Sequence, residues 1–145
     1  STKFAQILKK GVMLPKDHLI IAVDFDGTIV DDAYPEIGDP KIFAFETLKE
    51  LEKDGHRLIL WTYRNGTRLQ EAVDFCKKKG IDFYAVNKNY PEEVFEGKVS
   101  RKINADIFID DRNLGGLLSW GEIYRKIKGD PTAKLPKRKK SFWRF

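Results

Sequence analysis

The chain carries a single cysteine, Cys76, among its 145 residues. One thiol closes no disulfide within the chain, and its solitude suits a reducing compartment. No apolar run approaches the roughly 20 residues needed to span a bilayer as a helix, so a soluble chain without a membrane span is expected. The opening stretch, STKFAQILKKG, lacks the long apolar core and small-residue cleavage site of a secretory signal. A cytoplasmic location follows as the default expectation. Negative charge is missing only at one end. Residues 134–145, KLPKRKKSFWRF, bring six cations and no anion, which more than accounts for the net charge of +5 and leaves the rest close to neutral.

With 41% hydrophobic and 34% charged residues, the chain has the composition of one globular domain with a single sizeable core. Three segments are expected: a leader over 1–17 with a short amphipathic helix around Phe4, Ile7 and Leu8, a body over 18–130, and a basic, aromatic tail over 131–145. Within the body, four continuous apolar runs read as strands of a parallel sheet covered on both faces: Leu19 to Val23, Leu58 to Trp61, Phe83 to Val86 and Ile107 to Ile109.

Helical periodicity lies between them. Asp39 is placed to cap a helix with Pro40 at its first position, Ile42, Phe45, Leu48 and Leu51 on its inner face, and Gly55 as its stop. A second helix aligns Leu69, Ala72, Val73 and Cys76, and ends in Lys77 to Lys79 and Gly80, which places Cys76 in the core. A third opens on the S-x-x-E box of Ser119 and Glu122, and stops at Gly129. The segment Asn87 to Ala105 is long for a plain loop and is expected to hold a helical turn or two. The order predicts an α/β fold of doubly wound, three-layer, Rossmann-like architecture around a central parallel sheet.

In such sheets ligands bind beyond the carboxyl ends of the strands. Those exits are polar here: Asp24 with Asp26, then Thr62, then Asn87, then Asp110 with Asp111. His18 and His56 precede strands and fall at the opposite end. Several carboxylates in one crevice would raise one another's pKa and lose charge, unless a cation joins them. Oxygen-only ligation without His or Cys points to magnesium rather than zinc.

These residues resemble a known family. Asp24-Phe25-Asp26-Gly27-Thr28 is similar to the first motif, DxDGT, of the haloacid dehalogenase (HAD) superfamily of phosphohydrolases. Ile109-Asp110-Asp111 resembles its acidic fourth motif, Thr62 at the end of LILWT its second, and Lys102 in SRKINADIFIDD its third, with Lys98 as the competitor. The resemblance implies a magnesium-dependent phosphohydrolase working through an aspartyl-phosphate. It implies Asp24 as nucleophile, Asp26 as acid and base with its backbone carbonyl on the metal, and Thr62 and Lys102 as phosphoryl-binding groups. Asp110 and Asp111 would complete the metal site, in either order of closeness.

Gly27 permits the turn after the acidic pair, and Thr28 can orient the carboxylates. Arg64 and Arg112 lie two residues past strand exits, where they could touch substrate, although surface positions suit both. Neither Thr28–Asp39 nor Asn87–Arg101 has room for the cap domain of larger family members, so an open site is implied, suited to a bulky phosphorylated substrate or to a homo-oligomer. The tail's cations, interleaved with Phe142, Trp143 and Phe145, extend this to a polynucleotide end phosphatase, while a solvated terminus or an anionic membrane surface accounts for them as well. From another class, a receiver-type phosphoacceptor shares the carboxylates and the metal but places its acceptor after the third strand, where this chain has Asn87. A catalytically silent binding module is a further alternative, against which the intact acidic pair speaks.

Overall fold

The computed structural model describes residues 18–136. The expected leader helix and the aromatic end of the tail lie outside the described residues. A four-stranded parallel sheet is formed by β1 (Ile20–Val23), β2 (Arg57–Leu60), β3 (Ala85–Val86) and β4 (Ile107–Ile109), in the spatial order β3-β2-β1-β4. Among the described residues three helices accompany it: α1 (Ala44–Lys53), α2 (Gly66–Lys78) and α3 (Trp120–Lys128). Among the described residues no helix is long and apolar enough to cross a membrane.

The central strand fixes the positions that matter. Val23 pairs with Leu60 of β2 on one side and with Ile109 of β4 on the other. The next residues, Asp24, Trp61 and Asp110, therefore leave the sheet side by side. The Asp24 N–H donates to the Ile109 carbonyl (2.9 Å) and the Trp61 N–H to the Val23 carbonyl (2.8 Å), so the pairing persists one step past the strands. Strand β2 ends at Leu60, one residue earlier than the apolar run suggests, which leaves Trp61 outside the ladder.

Ile21, Val23, Leu58, Leu60 and Ile109 point to one face, where Leu48 and Leu51 of α1, Ala72 and Cys76 of α2, and Trp120 and Ile123 of α3 cover them. Burial of each large aliphatic side chain there contributes about 1.5–3 kcal/mol. The opposite face, with Ala22, Ile59 and Ala85, is closed by Ile103 and flanking residues of the β3–β4 crossover. That crossover contains no helix, contrary to expectation. It is held instead by Asn89, whose N–H and side-chain amide donate to Glu93 (2.9 Å each) and whose Oδ1 accepts from the Asn104 N–H (2.7 Å). Among the described residues the sheet thus has helices on one face and an irregular cover on the other, rather than a full third layer.

Helix α1 starts five residues after the expected cap. Asp39 and Pro40 are taken up in a short ribbon against the segment after β1: the Asp31 N–H donates to the Asp39 carbonyl (2.7 Å), the Lys41 N–H to the Ile29 carbonyl (2.8 Å), and Pro40 bridges Val30. The helix opens only after Phe43, in the left-handed region at φ 64°. Ile42, expected inside, is consequently 81% exposed, whereas Phe45, Leu48 and Leu51 are buried as expected. Helix α3 follows its pattern: the Ser119 hydroxyl accepts from the Glu122 N–H (3.3 Å), and Gly129 closes it at φ 74°. Beyond the expected body limit at 130, Ala133 and Leu135 still pack on the core.

The histidines sit at the amino end of the sheet. Nδ1 of His56 accepts from the Leu19 N–H (3.0 Å), and Nδ1 of His18 meets the Gly55 carbonyl (2.8 Å). His56 is half-buried, and burial lowers its pKa.

Candidate active site

A cleft of about 440 Å³ opens at the carboxyl ends of β1, β2 and β4, lined by Asp24, Asp26, Asp32, Thr62, Asp110 and Arg112. The aromatic rings of Trp61 and Tyr63 complete its wall. Oxygens of Asp24, Asp110 and Asp111 all lie within 4.8 Å of one another. Carboxylates separated by more than eighty positions are brought together because Val23 is shared by two strand pairs.

Thr28 joins two of them. Its hydroxyl lies 3.3 Å from Asp24 Oδ2 and 3.1 Å from Asp111 Oδ1, while it accepts from the Asp111 N–H at 3.0 Å. One hydroxyl proton cannot serve both carboxylates fully. Burial, followed by the hydrogen bond with Asp111 and the charges of Asp110 and Asp111, pushes Asp24 up to about 7, against the opposing Phe25 N–H. Burial acts in the same sense on Asp111, but bonds with Asp24, Thr28 and Asp110 outweigh it and hold that carboxyl below its ordinary range.

Gly27 is required where it stands. Its φ is +79°, and a Cβ there would strike the Asp111 carboxylate, lying 2.8 Å from Cγ. Substitution Gly27→Ala is expected to cost about 1–3 kcal/mol through backbone strain and displacement of Asp111. Urea denaturation measures this directly, and a loss under 0.5 kcal/mol would show that Asp111 swings aside freely.

Asp26 is buried and takes no part in the acidic cluster. Both its oxygens accept from Arg64, from Nε and Nη2 at 2.7 Å each. Arg64 is 1% exposed, which overturns its expected surface position. Its remaining N–H groups donate to the carbonyls of Pro35 (3.2 Å), Glu36 (2.8 Å) and Arg68 (3.3 Å), so all five donors are used. The guanidinium also lies against the rings of Phe25 (5.2 Å) and Tyr34 (5.1 Å). Arg64 is thus a rivet joining β1's exit, the 31–39 segment and α2, and its role is to orient Asp26. An Arg two residues past Thr62 is visible in the sequence, but its partner lies 38 positions away and no local pattern announces the pair.

Thr62 reaches the cleft, and the backbone amides of Thr62 and Arg64 are already engaged. Its own N–H donates to Asn87 Oδ1 (2.8 Å), and its hydroxyl oxygen accepts from the Arg64 N–H (3.2 Å). The hydroxyl proton remains available. Lys102 is not brought to the cleft: it is exposed, with Nζ against the Phe108 ring at 5.4 Å on the sheet's other face. Lys98 does not line the cleft either. The cation that does is Arg112. Of the two acids after β4, Asp110 lines the cleft and accepts from the Arg112 N–H (2.9 Å), whereas Asp111 lies behind it against Gly27. Asp32 accepts from the Tyr34 N–H (3.4 Å) and also lines the cleft.

Fold and site together define an α/β protein with an acidic, oxygen-rich cleft at the carboxyl ends of a parallel sheet. The chain belongs to the family described as "Protein of unknown function (DUF705)", whose model matches residues 1–106. It is similar to a solved structure from Bacteroides thetaiotaomicron, titled as that of a conserved protein, with 55% sequence identity and a TM-score of 0.74 over 77% of this chain and 91% of that one. No curated protein matches.

Proposed function

We propose that this protein is a HAD-like, capless, magnesium-dependent phosphohydrolase that cleaves phosphate monoesters. The observation that carries the reading is the convergence of Asp24, Asp110 and Asp111 within 4.8 Å, at the mouth of a cleft that also holds a threonine hydroxyl and an arginine. The donor set suits a hard divalent cation: three clustered carboxylate charges, with no His or Cys among them. When bound, magnesium would neutralise that charge and that of the phosphoryl oxygens.

The chain's own groups supply the rest. An Asp24 oxygen attacks phosphorus, the bond to the leaving oxygen breaks, and the electron pair departs on that oxygen, which takes a proton from solvent water to leave as the alcohol. Water then attacks the aspartyl-phosphate, its proton passes to a base, and the Asp24–phosphorus bond breaks to restore the carboxylate. Asp26 fits that base, since Arg64 uses one lone pair on each oxygen and leaves another. Thr62 and Arg112 fit the phosphoryl oxygens, Arg112 standing in for the expected Lys102. Against a receiver-type switch, the residue after β3 is Asn87, whose side chain is spent on the Thr62 N–H. The polynucleotide reading rests on residues beyond 136 and adds only the tail's charge.

The test follows phosphate release from phenyl phosphate together with melting temperature, with magnesium and with chelator, from pH 5.5 to 8.5. Asp24 has a folded pKa raised to about 7 from 3.8, so the native state binds more protons than the unfolded one between those values. Its contribution to chelated-protein stability is full below 3.8 and fades as pH rises through about 7. The stabilisation given by magnesium should grow over the same interval as the proton ceases to compete. Phosphate release should require the metal. Absence of turnover on any monoester, with no metal-induced shift in melting temperature at pH 8.5, overturns the reading.

A further inference from the structure

A second cleft, of about 360 Å³, adjoins the first and shares Trp61 and Thr62 with it. It lies beyond the exits of β2 and β3 and is walled by Asn87, Lys88, Phe95, Ser100 and Arg101. The acidic cluster does not extend into it. Its one carboxylate, Glu93, is engaged by the N–H and side-chain amide of Asn89, which hold its pKa down. Lys88 and Arg101 therefore leave the space with a surplus of positive charge.

The cleft is ordered by its own bonds. Asn87 Oδ1 accepts from the Thr62 N–H, which fixes the partition between the two spaces (2.8 Å). The Arg101 guanidinium lies 4.7 Å from the centre of the Phe95 ring, which limits its freedom and leaves its N–H edge for a planar anion. Ser100 Oγ accepts from the Lys102 N–H (3.1 Å) and keeps its own proton to donate. Lys88 is half-buried on the strand-exit side. A phosphoryl group held at Thr62 would lie where the two clefts meet, since Trp61 and Thr62 line both.

We infer that this second cleft is a subsite for an anionic group on the leaving portion of the substrate, so that the preferred substrates are phosphomonoesters bearing a second phosphate or a carboxylate. The inference rests on the phosphohydrolase reading for its substrate class, but its binding arm does not. Two matched pairs test it: phenyl phosphate against 4-carboxyphenyl phosphate, and fructose 6-phosphate against fructose 1,6-bisphosphate. Turnover is measured with the magnesium-loaded protein, and affinity by calorimetry with the Asp24→Asn form, which does not consume the ligand.

The wild type should favour the doubly anionic member of at least one pair, the pair identifying carboxylate or phosphate. Lys88→Ala with Arg101→Ala should reduce that preference about tenfold, as expected for loss of a charge-assisted bond, and Arg101→Lys should restore part of it. The change should appear in KM rather than kcat. Turnover with no such preference, or a preference that survives both substitutions, overturns the subsite while leaving the phosphohydrolase intact. Arg101-dependent binding of the doubly anionic ligand without any turnover sustains the subsite and removes the phosphohydrolase.

Discussion

Asp24→Asn should lower magnesium-dependent phosphate release by at least about 10³-fold while the protein remains folded. The reason lies in what the amide keeps and what it loses. In the metal-free protein burial raises the Asp24 pKa to about 7, and a hydrogen bond with Asp111 acts in the same sense. An asparagine amide donates to Asp111 in the same place and removes one of three clustered charges. Melting in chelator should therefore be unchanged or slightly higher. The amide oxygen, however, is a poor nucleophile toward phosphorus and a weaker partner for a dication. The magnesium-induced rise in melting temperature should shrink as well. Because wild type and variant are purified alike, trace contaminating phosphatase would leave their rates equal. Retention of more than a tenth of the activity would remove Asp24 from the nucleophile's role.

The site was legible where a local pattern coincides with a strand end. The run Ile20–Val23 followed by D-F-D-G-T, and Ile107–Ile109 followed by two acids, locate β1 and β4 and put their exits at the same end of the sheet. The pairing of Val23 with both neighbours then sets the carboxylates together. Legibility failed where long-range pairing overrode a local signal. Asp39-Pro40 is a sound helix start, yet the ladder to Ile29 and Asp31 claims those residues and delays α1. Asn87–Ala105 is long enough for a helix, but side-chain bonds of Asn89 organise it without one. Lys102 matches a motif by order along the chain, and that order does not decide on which side of the sheet the crossover passes. Most of all, a buried Arg–Asp pair has no sequence signature, since arginine after a strand is usually solvated.

That buried pair carries the largest expected stability effect. Arg64→Met leaves Asp26, only 8% exposed, without its partner, and strips hydrogen bonds from the carbonyls of Pro35, Glu36 and Arg68. Breaking one side of such a pair costs about 3–5 kcal/mol. At roughly 2–4 °C per kcal/mol for a domain near this size, melting should fall by about 10 °C. Lysine cannot rescue it, because one ammonium cannot span both Asp26 oxygens and three separate carbonyl groups. The paired substitution Arg64→Met with Asp26→Leu should recover much of the lost stability, since two apolar groups leave no charge stranded. It should not recover phosphate release, because the base proposed for the second step is gone. Stability and activity would then part company at one ion pair. If Arg64→Met melted within 2 °C of wild type, the buried contact would be neither the rivet of the 31–39 segment nor the device that orients Asp26.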